Sequence, residues 1–378
     1  MTTRRRILKL AGGGIVLAAG GIGAFTVANG PSSVARSPWR TAGDYDDPRK
    51  AALSYAILAP NPHNLQPWRV ALEGEDALTI SRDPSRALPQ TDPYDRQITL
   101  GFGAFLEVLR MAAAAQGFEA EVEAFPSGSD MNKLDGRPVA HVRLRRAVTT
   151  ADPLFQHVLA RRTNRETYRD TLVPKAALSK IEASAHVGDT RIHTTTSPEL
   201  VDALRELTWR AHEIETFTNA THMESVNVMR IGRREVAANP DGITLEGPMI
   251  TAAKLAGAVT RSTLADPSSS AFRQGLDMYR EKAASAPAFV WITNDGGTRE
   301  GQLNAGAAWL RLNLAATAEG LAVHPWSQSL QEYPQMASLY DDVHALIGGG
   351  GRIQMLARIG YASDVGPSPR WPLETVLA

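Results

Sequence analysis

Two stretches of the chain, "GAFLEVLRMAAAAQGF" (103–118) and "GAAWLRLNLAATAEGL" (306–321), align without a gap at a constant offset of 203 residues, Gly103 onto Gly306. Each is rich in Ala and Leu and apolar nearly all round, as a central buried helix is, with no solvated face. Each closes on a glycine, Gly117 and Gly320, in the position of a helix C-cap. β-prone residues follow both, "EAEVEAF" (119–125) and "AVHPWS" (322–327). The pattern predicts an α+β chain made of two half-repeats, each layered on a long central helix, fused into a single-chain pseudo-dimer.

Further strands are expected at 68–72, 77–82, 139–146, 190–196, 288–294 and 352–361, and a helix at 49–58. The halves then run over 46–150 and 151–378. Residues 30–45, "GPSSVARSPWRTAGDY", have the composition of a solvated linker. Between about 199 and 270 the second half carries a polar, helix-prone insertion with no counterpart in the first. Its tail "DPSSS" (266–270) reads as a flexible loop, and an insertion in one half alone suits a lid.

Lys+Arg and Asp+Glu both number 40, so no net field points to nucleic acid or to an acidic partner. The absence of cysteine excludes disulfides, thiolate catalysis and Cys-ligated metal centres. The nine histidines show no zinc spacing. No nucleophile elbow with a Ser-His-Asp set is visible. "IGGGGR" (347–352) lacks the Lys-Ser/Thr of a phosphate cradle and reads as a turn. "GFGAF" (101–105) has no strand leading into it and reads as helix packing.

The first 29 residues combine a basic start with an uncharged run, 10–28, that contains six glycines. Thr3, Arg4, Arg5, Arg6, Ile7, Leu8 and Lys9 resemble the twin-arginine export signal, with Ile7 in the Phe place. The resemblance implies the twin-arginine translocase as a partner and a cell-envelope location, with the segment either cleaved or kept as an N-terminal anchor. That route carries folded proteins and is used when a cofactor is inserted before export.

The remaining chemistry lies in "LAPNPHNLQPWRV" (58–70), where three prolines among eight residues break any helix and Asn, His, Asn and Gln stand between them. "APNPHNLQPW" (59–68) resembles the Ala-Pro-Ser-x-x-Asn-x-Gln-Pro-Trp signature of the FMN-dependent nitroreductase superfamily. "RRTNR" (161–165) is similar to its Arg-Arg-Ser-x-Arg motif, and "GPSPRWPLETVL" (366–377) to its closing segment. The arginine motif follows the Asn-Gln-Pro-Trp element here, whereas in ordinary members it opens the chain. That order implies a fused branch, which includes flavin-sequestering members, with one flavin site built from both halves. The fold implied is a nitroreductase-like mixed sheet on long central helices.

The resemblance implies FMN as cofactor and assigns residues to it. Arg161, Arg162, Thr163 and Arg165, joined by Arg370 from the tail, are placed at the phosphate, where guanidiniums and a hydroxyl suit a dianion. Asn64 is placed at the pyrimidine edge of the ring, and Gln66 either beside it or as a brace of the loop. Pro60 and Pro67 fix the loop's amides, and Trp68 packs beneath it. Asn61 replaces the family's Ser. His63 lies over the ring or serves as an ordinary turn histidine. Lys282 aligns with a family lysine near the ring. The activity implied is transfer of electrons through flavin to a nitro or quinone-like small molecule. The donor is left open among NAD(P)H, a quinol and a partner protein, and flavin storage or sensing with little turnover stands as the alternative.

Overall fold

A computed structural model describes residues 30–184 and 187–378. The export signal expected in 1–29 lies outside the described residues.

The first half runs α1 (Pro48–Ala56), β1 (Trp68–Glu73), β2 (Ala77–Arg82), α2 (Arg96–Ala115), β3 (Phe118–Ala124) and β4 (Ala140–Arg146). Its strands form an antiparallel sheet in the order β1-β2-β4-β3. The second half opens with α3 (Lys175–Ala183) and β5 (Arg191–Thr195). The insertion follows as α4 (Pro198–Phe217), α5 (Asn219–Asn227), β6 (Met229–Ile231), α6 (Arg233–Ala238), β7 (Ile243–Leu245), α7 (Pro248–Leu255), α8 (Arg261–Ala265) and α9 (Ser270–Ala284). The half then resumes with β8 (Ala288–Asn294), α10 (Arg299–Ala318), β9 (Ala322–Pro325), α11 (Ala337–Ile347), β10 (Arg352–Gly360) and α12 (Leu373–Val376). Its sheet has the order β5-β8-β10-β9, all antiparallel. Both sheets therefore take their strands in the sequence first, second, fourth, third, and in both the long helix joins second to third.

The repeat is visible at the level of single atoms. Helices α2 and α10 are each 20 residues long and pack against each other. A Cβ on Gly103 would stand 2.0 Å from the Leu303 carbonyl oxygen, and one on Gly306 would stand 1.9 Å from that of Leu100. These four residues are related by the 203-residue offset, so one contact is the two-fold image of the other. Glycine is required at both because backbone meets backbone. At the helix starts, Arg96 reaches the carbonyls of Leu330 and Gln354 in the second half. Its counterpart Arg299 reaches those of Tyr94, Asp130 and Met131 in the first. Both arginines are buried, and each satisfies backbone acceptors of the opposite half.

The stretch expected to be a solvated linker is packed instead. Val34–Trp39 form a 3-10 helix, and the Trp39 indole, 7% exposed, donates to the Ser368 carbonyl at 2.8 Å. Its ring carries the guanidiniums of Arg162 and Arg370 at 4.7 and 5.6 Å. A large apolar ring with two cations to cover outweighs the loop-forming Pro, Ser and Gly around it. The C-terminal tail returns to the first sheet, with Val70 and Leu377 bridged in parallel.

Three carboxylates of the insertion fasten it to the first half, to the segment 30–45 and to the tail. Glu224 accepts from the amides of Gln90 and Thr91. Asp241 accepts from Arg86, Arg230 and the Trp371 indole. Glu246 accepts from the Ser32 amide and from Arg36.

Candidate functional site

The loop after α1 is held in a costly conformation. His63, Asn64 and Gln66 have φ of 48°, 54° and 52°, in the left-handed region that few non-glycine residues occupy. Three such residues cost on the order of 1–3 kcal/mol each, and surrounding contacts must fix them. Those contacts are present. The Asn61 side chain accepts from the Gln66 amide at 2.8 Å and donates to the Ala59 carbonyl at 3.1 Å. Gln66 donates to the Pro240 carbonyl of the insertion and accepts from the Trp371 amide, so it is a brace. The Asn64 carbonyl accepts from the Gly242 amide. Helix α2 presents Gly101 beneath the loop, where a Cβ would stand 3.2 Å from that of Asn61. Trp68 is buried below, 4.9 Å from the Phe105 ring.

At one end of this loop three guanidiniums converge. Arg370 is buried and donates to the carbonyls of Ile57, Leu58 and Ala59 at 3.0–3.1 Å, capping the C-terminal end of α1. Arg161, 3% exposed, makes one long contact to the Leu58 carbonyl at 3.4 Å, and its Nη1 is buried with no partner. Arg162 lies on Trp39 and donates to the carbonyls of Leu159 and Arg161. Burial, then Arg162, pushes the Arg161 guanidinium down to about 10. Burial, then Arg161 and Arg162, holds Arg370 well below its ordinary value. No carboxylate contributes to any of the three. Thr163 follows on the same irregular segment, half-buried. The Asn64 side chain belongs to this end: it accepts from Arg370 and donates to the Pro369 carbonyl at 3.1 Å. The Asn64 amide is engaged by a tail more than three hundred residues away in sequence.

A second basic group lies beyond Thr163. Arg165 is exposed and makes no hydrogen bond or ion pair among the described residues. Its charge acts on His63, Lys282 and His324. Burial, then Arg165, pushes the His63 imidazole down to about 4, and its Nε2 meets Ser225 Oγ of the insertion at 3.1 Å. Lys282, in the last turn of α9, is lowered by burial and sets its Nζ 5.6 Å from the centre of the Tyr279 ring. His324 is held well below its ordinary value by burial, then by Arg358, Arg165 and Lys282.

His324 and Arg358 were not singled out from the sequence. They face each other in the β9–β10 register, and Arg358 Nε meets His324 Nδ1 at 3.1 Å. Arg358 also donates to the Glu166 and Lys282 carbonyls and lies between the rings of Tyr168 and Trp326 at 4.0 and 5.0 Å. The available signal was an arginine between Ala357 and Ile359 at the apolar end of a buried strand, "RIQMLARIG", whose other polar residues, Arg352 and Gln354, lie at the opposite end.

Sequence comparison now bears on this arrangement, because a model of the nitroreductase family matches residues 158–361, more than half of the chain. The chain belongs to the nitroreductase family. Among curated relatives, "Putative NAD(P)H nitroreductase Rv3131" of Mycobacterium tuberculosis is 27% identical over 336 residues, covering 87% of this chain and 90% of its own. "Putative NAD(P)H nitroreductase acg" of the same organism is 26% identical over 358 residues, covering 87% and 94%. Among solved structures, the FMN-dependent nitroreductase NfnB of Mycobacterium smegmatis in complex with NADPH is 21% identical. It covers 59% of this chain and 96% of its own, with a TM-score of 0.36. A nitroreductase with bound FMN from Bacteroides fragilis is 14% identical, covers 57% and 91%, and has a TM-score of 0.33. The matched family segment contains the arginine motif, Lys282, His324 and Arg358, while the strained loop and Arg370 lie outside it.

Proposed function

We propose that the chain is an FMN-dependent oxidoreductase of the nitroreductase type, exported by the twin-arginine route and passing electrons to a nitro or quinone-like small molecule. The observation that carries the FMN reading is the buried, uncompensated cationic cluster of Arg161, Arg162 and Arg370, in which Arg161 Nη1 has no partner. A buried charge left without a counter-charge costs several kcal/mol, and a phosphate dianion supplies both the charge and the acceptor. Arg161, Arg162, Thr163 and Arg370 would hold the phosphate. Arg165, assigned to the phosphate by the resemblance, would lie instead with His63 and Lys282 toward the isoalloxazine ring, with His324 and Arg358 behind them. Bound flavin supplies reversible two-electron chemistry. The chain's own groups would orient it, with Arg165, Lys282 and Arg358 as the cations at the ring end. NAD(P)H is the donor favoured by the names of the curated relatives.

The test is Arg161→Met, which removes the unpartnered guanidinium and keeps its bulk. FMN binding should weaken by about 10- to 100-fold, the loss of a charged hydrogen bond. The flavin-free protein should melt at a higher temperature than the flavin-free parent, because an uncompensated buried cation has gone. A variant that keeps full FMN affinity refutes the phosphate assignment. Storage of flavin is the second reading, favoured by the fastening of the insertion onto the strained loop through Pro240 and Gly242. Anaerobic mixing of flavin-loaded protein with NADPH separates the two: bleaching supports turnover, and persistent colour supports storage.

A further inference from the structure

Helix α7 is inside out. Met249, Ala252, Leu255 and Ala256 fall on one side of it at helical spacing, and all four are exposed, Met249 at 85% and Leu255 at 77%. Its only charged residue, Lys254, turns the other way and is spent on Glu235 Oε1 and the Ile231 carbonyl, both at 2.6 Å. A surface helix in water places its charges outward and its apolar stripe against the core. Here the reverse holds.

The chain outside the described residues ends beside this helix. Ser32 donates its amide to Glu246, and Arg36 pairs with the same carboxylate, two residues before α7 begins at Pro248. The uncharged run 10–28 therefore stops four residues from Ser32, within about 14 Å of extended chain. Nineteen uncharged residues are close to the length that spans a bilayer's hydrocarbon core, about 20. Arg36, Lys254 and Arg261 stand beside α7 against Glu235 and Glu246, one cation in excess.

We propose that, in the chain that keeps residues 1–29, the exposed face of α7 rests on an anionic lipid bilayer. The inference goes beyond the flavin reading and does not depend on it. A single apolar helix face gives only marginal membrane affinity, and a second attachment makes it stable. The uncharged run supplies that second attachment, and the one cation in excess adds about 1 kcal/mol near an anionic surface. A second copy of the chain is disfavoured as the occupant. An eight-residue helix is about 12 Å long, and its face is far smaller than the roughly 800 Å² per partner of a stable interface. A two-fold contact would also set the excess cation against its own copy.

The chain has no cysteine, so single cysteines can be placed cleanly. Full-length protein carrying Met249→Cys, Leu255→Cys or, as a control, Val148→Cys is labelled with an environment-sensitive fluorophore. It is reconstituted with vesicles of phosphatidylcholine and phosphatidylglycerol, with and without a doxyl-labelled lipid. Quenching at 249 and 255 should exceed that at 148 by about threefold or more, the signature of shallow insertion. Adding Lys254→Gln and Arg261→Gln should lower that quenching while thermal unfolding confirms an intact fold. Equal quenching at all three positions overturns the proposal, as does failure of the full chain to bind vesicles. A label at 249 already shielded in vesicle-free solution also overturns it, assigning the face to another copy or to residues 1–29.

Discussion

Replacing Gly103 or Gly306 by alanine tests whether the two halves are locked by one symmetric contact. In either variant the new Cβ would meet a backbone carbonyl at about 2 Å, which no rotamer can relieve. Ordinary contact begins near 3.4 Å, so the two 20-residue helices must part by about 1.4 Å at that point. Alanine gains about 1 kcal/mol of helix propensity over glycine. The separation opposes that gain. Overpacking costs about 1–3 kcal/mol, and a gap of this size forfeits much of the dispersion energy along the seam. A net loss of about 3 kcal/mol is expected, or a Tm lower by about 4 °C for a chain of this size. Thermal and urea unfolding of flavin-free protein measure it. The two single variants should match, because their contacts are images of each other. The double variant should lose far less than the two losses combined, since helices already parted by one methyl accept the second. A single variant with unchanged Tm, or a strictly additive double, refutes the reasoning.

Glu215 lies buried in α4, and desolvation is the main cause of its rise to about 7, opposed by hydrogen bonds from Gln331 and Gln328. A carboxyl raised on folding stabilises fully below its unfolded value of 4.5, and that contribution is lost as pH rises through about 7, about 3 kcal/mol in all. Glu215→Gln should therefore flatten the fall of Tm between acid and neutral pH and melt above the parent at pH 8; an unchanged pH profile would remove this role. Asp241→Asn should cost about 2–3 kcal/mol by leaving Arg86 and Arg230 half-buried without their shared carboxylate. It should also speed proteolytic cleavage within 229–247, and equal cleavage rates would show that the insertion is held elsewhere.

The long helices and most strands were legible because each half repeats the same local signals, and two copies of a pattern confirm its period. The strand expected at 77–82 is reproduced, and that at 352–361 ends one residue earlier, at Gly360. Arg161 and Arg370 could be paired in advance because both belong to short motifs with a shared chemical purpose. His324 and Arg358 could not, because each stands between apolar neighbours in its own strand and only the strand register brings them together. The partners of Asn64 were hidden for a related reason: its local sequence says that it can donate and accept, but not that Arg370 and the Pro369 carbonyl engage it. Residues 30–45 misled through composition, since one tryptophan with two arginines to carry outweighs the small and cyclic residues around it.

The return of the C-terminal tail to the first sheet has a consequence for how the molecule behaves when scarce. The cationic cluster draws Arg161 and Arg370 from the second half and surrounds them with carbonyls of the first. Between separate subunits such a site would vanish on dilution, because its two walls would diffuse apart. Here the walls share one backbone, so meeting is intramolecular and independent of how many molecules are present. Ligand affinity should then be the same at trace and at high protein concentration. One half can also lose a surface, or acquire an insertion, without imposing the same change on its twin.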